Sequence, residues 1–281
     1  MHPVLLLFLA AALPPGQVIE KVECERNPAV SYAVYLPSNY TDDRAWPILY
    51  CLDPVARGRV PVDRFAKAAE AEGFIVVGSN NSRNGPIEPV REAITATVDD
   101  TNSRFKIDDR RVYAAGFSGG SRVALGWALN GSIAGVVACG AGFTGGTPKN
   151  AKFPVYAAAG TDDFNYYELY QLSLDLQKSG IPNRFAEFSG GHEWLPELQA
   201  LEALRFFNGK LPASPAVKSK QVEKEKSEFD RLENELSAAD EFSRASLLNG
   251  LKRDAASSED SLHRRVARRV LGLERIKNAT K

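Results

Sequence analysis

Cysteine and histidine are scarce in this chain: three cysteines, Cys24, Cys51 and Cys139, and three histidines, His2, His192 and His263, in 281 residues. An odd, scattered set of cysteines excludes a disulfide framework, and no Cys or His spacing fits a zinc site. Cys51 and Cys139 fall inside apolar runs, where a free thiol behaves as a small hydrophobe. Net charge is absent too, with 35 Lys and Arg against 35 Asp and Glu. That removes the electrostatic footprint expected of a nucleic-acid binder or of a protein held on an anionic membrane, and leaves small-molecule chemistry as the default. No metal or organic cofactor is implied.

A long apolar run is lacking as well. The stretch from Pro3 to Leu13 stops at Pro14-Pro15-Gly16, short of the roughly 20 residues of a spanning helix. Its length suits the apolar region of a secretory signal, with Ala10 and Ala12 as a small-residue cleavage site, although His2 stands where Lys or Arg is usual. Residues 1–16 are read as a signal peptide, which implies a secreted or periplasmic protein; an uncleaved leader implies a cytoplasmic one.

What is present is a 44% hydrophobic chain, enough for a well-filled core. From Gln17 onward, short β-branched and aromatic runs alternate with helical patterns, which predicts an α/β fold with a mostly parallel sheet flanked by helices. Val18 to Cys24 and Val30 to Leu36 read as an opening antiparallel pair. Strands follow over Pro47–Asp53, Phe74–Gly78, Arg111–Ala115, Ile133–Cys139, Phe153–Ala159 and Arg184–Phe188. Helices are expected over Asp63–Glu72, Glu88–Phe105, Ser121–Asn130 and Tyr166–Lys178, with Gly131 as the glycine that ends the third. Residues 17–211 form the catalytic domain on this reading. Pro212 and Pro215 bracket a linker, and the Lys, Glu and Arg-rich remainder to residue 281 carries two amphipathic stripes, Val222, Phe229, Leu232, Leu236 and Ala239, then Leu262, Val266, Val270 and Leu273. Two or three helices are expected there, packed on the domain or pairing two copies as a homodimer. Arg264, Arg265, Arg268 and Arg269 read as a solvated basic face.

Gly116-Phe117-Ser118-Gly119-Gly120 fits G-x-S-x-G, a strand-to-helix turn that needs small residues so that the serine hydroxyl projects free. The bare pattern occurs by chance in roughly one chain in ten of this length. Here it lies between an apolar strand and a helix, and an acid and a histidine follow in the order Ser, Asp, His. Gly160-Thr161-Asp162-Asp163 comes directly after a strand and offers two aspartates for one role, either of which could instead cap the next helix. Only His192 of the three histidines lies outside the leader and the tail.

These segments resemble the α/β-hydrolases. Gly160 to Asp163 is similar to their G-T-x-D loop, whose last aspartate is the catalytic acid, and Ser189-Gly-Gly-His192-Glu-Trp194 resembles their G-G-H-x-W loop. The resemblance spans about Val30 to Leu211 and is nearest to the esterase-D, feruloyl-esterase and polyhydroxybutyrate-depolymerase-like group. It implies a triad of Ser118, Asp163 and His192, with Asp163 favoured over Asp162, that cleaves carboxylic esters through an acyl-enzyme. The oxyanion hole is assigned to the amides of Gly119 and Val55, since Pro54 has no N–H to give. Asp53-Pro54 departs from the His-Gly or Asp-Gly that many relatives carry there.

The loop Asn80 to Asn84 leaves the carboxyl end of a strand, where open α/β sheets bind ligands, and Asn81 and Arg83 are candidate substrate contacts. Only a short stretch separates Cys139 from Phe153, where many members of the fold insert a helical cap, so an open site is expected. The substrate is then a small-molecule or polymer-linked ester. Two rival functions are a serine peptidase on the same fold and a non-catalytic protein that binds through its helical tail.

Overall fold

A computed structural model describes residues 13–257 and 261–279, so residues 1–12 of the expected leader lie outside the described part. Eight strands form one sheet in the order β1-β2-β4-β3-β5-β6-β7-β8. They are β1 (Val18–Cys24), β2 (Asn27–Tyr35), β3 (Trp46–Leu52), β4 (Ile75–Ser79), β5 (Ile107–Phe117), β6 (Gly135–Cys139), β7 (Val155–Gly160) and β8 (Asn183–Phe188). The first two are antiparallel to their neighbours, and β3 to β8 are parallel.

Parallel strands must be covered on both faces, and their side chains alternate accordingly. Ala115, Val137 and Ala158 face helices α1 (Arg59–Glu72) and α5 (Glu197–Phe207). Ala114, Val136 and Ala157 face α3 (Gly119–Asn130) and α4 (Tyr166–Lys178), while α2 (Ile87–Arg104) packs beside them over Ile48 and Ile75. Small residues in the middle strands let these helices approach closely.

The C-terminal segment folds into α6 (Lys220–Ala238), α7 (Glu241–Ala256) and α8 (Leu262–Ala279). Phe229, Leu236, Leu251, Val266 and Val270 join the same apolar cluster as Leu169 and Leu172 of α4. The amphipathic stripes therefore close onto the sheet's own layer, with Phe229 against Tyr167 at a ring separation of 5.4 Å. Among the described residues no helix is long and apolar enough to cross a membrane.

Four details differ from the expectation. Helix α1 begins at Arg59, because Pro61 lies in the first turn, where its missing N–H breaks no helical hydrogen bond. Strand β5 begins at Ile107 rather than Arg111. Helix α5 was not expected at all. Gly131 does end α3, yet it is extended, with φ −135° and ψ 179°, so the left-handed cap expected of a terminal glycine is not formed.

Candidate active site

The loops leaving the carboxyl ends of β3, β4, β5, β7 and β8 converge at one edge of the sheet. Ser118 sits between β5 and α3 at φ 53° and ψ −121°, a conformation that L-residues rarely adopt. The surrounding glycines explain how the turn is held. A Cβ on Gly116 would run into the carbonyl of Gly120, and one on Gly120 would meet the carbonyl of Leu52. The strain raises the Ser118 hydroxyl above the sheet at the start of a helix.

Ser118 Oγ lies 2.8 Å from His192 Nε2, and His192 Nδ1 lies 2.9 Å from Asp163 Oδ1. A carboxylate can only accept, so Nδ1 carries the ring proton and Nε2 faces the hydroxyl as an acceptor. Asp163 is fully buried. Its Oδ1 also accepts from the amide of Asn165 at 2.8 Å, and the Asn165 side chain reaches the carbonyl of Gly140. The imidazole lies between Phe117 and Phe164, at ring separations of 4.6 and 4.3 Å. Asp162 points the other way and pairs with Arg268 on α8 at 3.0 Å.

Asp53 organises the opposite rim. It is fully buried and accepts from the amides of Val55 (2.9 Å) and Arg57 (3.3 Å), from the Arg57 guanidinium, and from Trp194 Nε1 at 2.8 Å. One carboxylate thus ties the loop after β3 to the loop that carries His192, two residues from Trp194. The same bond corrects the expectation for Val55. Its amide is engaged by Asp53 and the residue is 59% exposed, so it offers no free donor beside Ser118.

Asn81 is also corrected. Its Oδ1 accepts from Ser31 at 2.9 Å and its Nδ2 donates to the carbonyl of Ala29, so both ends pin the loop to β2. Arg83 is exposed and bridges Val55 through its backbone. The loop residue that reaches the elbow is Asn84, whose carboxamide occupies the space a Cβ on Gly119 would need. Gly119, as the first residue of α3, has an amide with no acceptor within its own helix.

Only a loop joins β6 to β7, with no helix inserted there, and helices α7 and α8 form one wall of a cleft beside His192. The basic stretch is not a solvated face. Arg269 is 2% exposed and donates to the carbonyl of Thr161 from Nε (2.9 Å) and Nη2 (2.8 Å). It also pairs with buried Glu225 at 3.2 Å, as does Arg265 at 2.6 Å. Asn84 and Phe164 are given no role by the sequence, and Asp53 and Arg269 are given other ones, a motif departure and a solvated basic face. Asn84 and Trp194 lay within quoted loops, whereas nothing local marks Arg269 as the partner of a loop 108 residues away.

All three cysteines are buried free thiols. Among the described residues no cluster of His, Cys, Asp and Glu could hold a metal ion.

No protein-family model matches the chain, and no curated protein matches it in sequence. Solved structures do match. A ferulic acid esterase aligns over 69% of this chain and 98% of its own length, with a TM-score of 0.53 and 18% identity. An arylesterase aligns over 71% and 86%, with a TM-score of 0.55 and 11% identity. A hyperthermophilic esterase from the archaeon Pyrobaculum calidifontis aligns over 70% and 86%, with a TM-score of 0.52 and 12% identity. The sheet order and these likenesses define the class: the chain has the α/β-hydrolase fold.

Proposed function

We propose that this protein is a serine hydrolase that cleaves carboxylic esters through an acyl-enzyme, with Ser118 as nucleophile, His192 as base and Asp163 as acid. The observation that carries the reading is the unbroken hydrogen-bond chain from a strained Ser118 through His192 to a buried Asp163. That the structural neighbours are esterases supports the same chemistry.

In acylation His192 Nε2 takes the Ser118 proton as Oγ attacks the ester carbonyl, and Asp163 stabilises the imidazolium while holding the ring in one tautomer. The amide of Gly119 is directed at the developing oxyanion. The Asn84 carboxamide beside it is the second polar group in reach; its Oδ1 is the atom nearest Gly119, and a turn of the terminal amide brings the Nδ2 donor to the role first assigned to Val55. His192 then returns its proton to the leaving alkoxide, and water cleaves the acyl-enzyme by the same route. Phe117 and Phe164 keep water from the faces of the imidazole, which strengthens its two hydrogen bonds.

The test is fluorophosphonate labelling of the purified protein, followed by hydrolysis of p-nitrophenyl esters from acetate to decanoate. Labelling at Ser118 with turnover lost in Ser118→Ala and His192→Ala supports the reading. Absence of labelling, with every variant at the wild-type background rate, overturns it.

A further inference from the structure

Helix α8 turns Arg268, Leu271 and Arg275 toward the loop Ser189 to His192, and the last turns of α7 add Lys252 and Ala255. Between these walls is a cleft of about 740 Å³ with His192 on one side and Phe164 at its base. Phe164 lies tilted by 37° against the imidazole, and Gly272 of α8 lines the same cleft, where an added Cβ would just meet the Phe164 ring. The cleft is therefore continuous with the base of the proposed triad and is built in part from the C-terminal helices.

Its charge is one-sided. Asp162 is the one carboxylate lining it among the described residues, and Arg268 already pairs with it. Lys252 and Arg275 have no carboxylate partner among the described residues. Helix ends do not explain them, because Arg253 and Lys277 are the bases that occupy the last turns of α7 and α8. The surplus is local, since the chain as a whole has formal net charge zero. Leu271, Ala255 and Ala256 give the same cleft an apolar surface.

Position relative to His192 decides which half of an ester belongs there. As the acyl–oxygen bond breaks and the bond to Ser118 Oγ is made, the imidazolium passes its proton from Nε2 to the leaving alkoxide. The alcohol portion therefore departs along the histidine side. We infer that the cleft receives the alcohol portion of the substrate and that this portion carries a carboxylate, bound by Lys252 and Arg275 over an apolar floor; the inference rests on the proposed triad. The products are an anionic alcohol and, after water attacks the acyl-enzyme, the free acid.

The experiment compares kcat/KM for 4-acetoxybenzoate and for its methyl ester, which share an acetyl group and differ by one charge on the leaving group. The ratio of the two is measured in wild type, in Lys252→Gln/Arg275→Gln and in Lys252→Glu/Arg275→Glu, so that intrinsic reactivity cancels. The expected result is a ratio that falls roughly five- to tenfold in the neutral variant and further on charge reversal, with the methyl ester within about twofold throughout. High salt should weaken the wild-type preference. A ratio indifferent to both substitutions, with the methyl ester still turned over, overturns the inference alone. Sensitivity confined to 4-nitrophenyl hydrogen succinate, whose charge is on the acyl side, also overturns it. Turnover of neither acetyl ester by wild type, together with no fluorophosphonate label at Ser118, overturns the hydrolase reading and the inference together.

Discussion

Replacing Arg269 by Met removes three hydrogen bonds and a buried charge while keeping most of the side chain's bulk. Arg269 grips the carbonyl of Thr161 and Arg268 pairs with Asp162, while Gly272 lines one cleft with Phe164, so α8 holds the two residues before Asp163 and faces the one after it. The guanidinium also lies 3.9 Å over the ring of Tyr166 and 4.6 Å over that of Tyr167. Breaking a buried ion pair costs about 3–5 kcal/mol, and the lower end applies because Glu225 keeps Arg265. At about 2–4 °C per kcal/mol for a chain of this size, the melting temperature should fall by roughly 6–12 °C.

A stability loss alone says nothing of catalysis, so the decisive readout is kcat on folded protein well below that transition. Freed of its anchor, the Thr161 peptide can shift, and Asp163 with it. A displacement of about 1 Å in such a constellation costs on the order of 100-fold. We expect kcat to drop between tenfold and 100-fold with KM changed less than about twofold, and Arg269→Lys to recover only part, since a single ammonium cannot reproduce the two-pronged grip on one carbonyl. A lower melting temperature with kcat within twofold of wild type would refute the reasoning and leave α8 as a mere buttress.

Asp163→Asn should lower kcat by about 10⁴, the loss expected when the imidazole is held in the wrong tautomer, while Asp162→Asn should stay within a few-fold; steady-state kinetics on one ester separates them. Asn84→Ala should reduce kcat by at least about tenfold, approaching the 10²–10³ of a lost oxyanion donor, with thermal stability unchanged. Burial pushes the Cys24 thiol up to about 11 and raises those of Cys51 and Cys139 further, so native protein should resist iodoacetamide at pH 8 and titrate three thiols only after unfolding. Burial raises the Asp100 carboxyl, but Arg104, the Glu25 amide and the Tyr32 hydroxyl outweigh it and hold the group below its ordinary value. Its stabilising contribution is then complete above the unfolded pKa of about 4 and is lost as pH falls through the folded one. Melting temperatures from pH 6 to 3 should fall less steeply in Asp100→Asn than in wild type, and equal slopes would contradict the assignment.

Where a segment's structure depends on its own pattern, the sequence was a good guide. The apolar β-branched runs of β3, β4, β6 and β7 are buried along their whole length, and α4 begins and ends where its periodicity does. Errors arose where a local rule had a competitor. Helix α1 starts four residues before the expected Asp63 because its first turn tolerates Pro61, and α5 has no counterpart in the expectation although Ala200, Ala203 and Leu204 repeat at helical spacing after Pro196.

The candidate site divides along the same line. The order Ser118, Asp163, His192 could be read because each residue follows a strand with its own short motif. Asp162 and Asp163 both follow β7 and both could cap α4, so only the resemblance to a G-T-x-D loop favours Asp163. What distinguishes them is a partner: Asp162 meets Arg268, whereas Asp163 meets the imidazole. The Val55 assignment failed for a related reason, because an amide counts as a donor only if nothing nearer accepts from it, and Asp53 does. Charge density likewise misled in α8. Arg265 and Arg269 are four apart and so share a helix face, and their common partner Glu225 lies 40 residues earlier for Arg265. A tail rich in Lys, Glu and Arg looks solvated when counted along the chain. Folded against the sheet, its arginines close on carbonyls and carboxylates of the very loop that carries the proposed catalytic acid, so removing the tail should be felt in kcat as well as in stability.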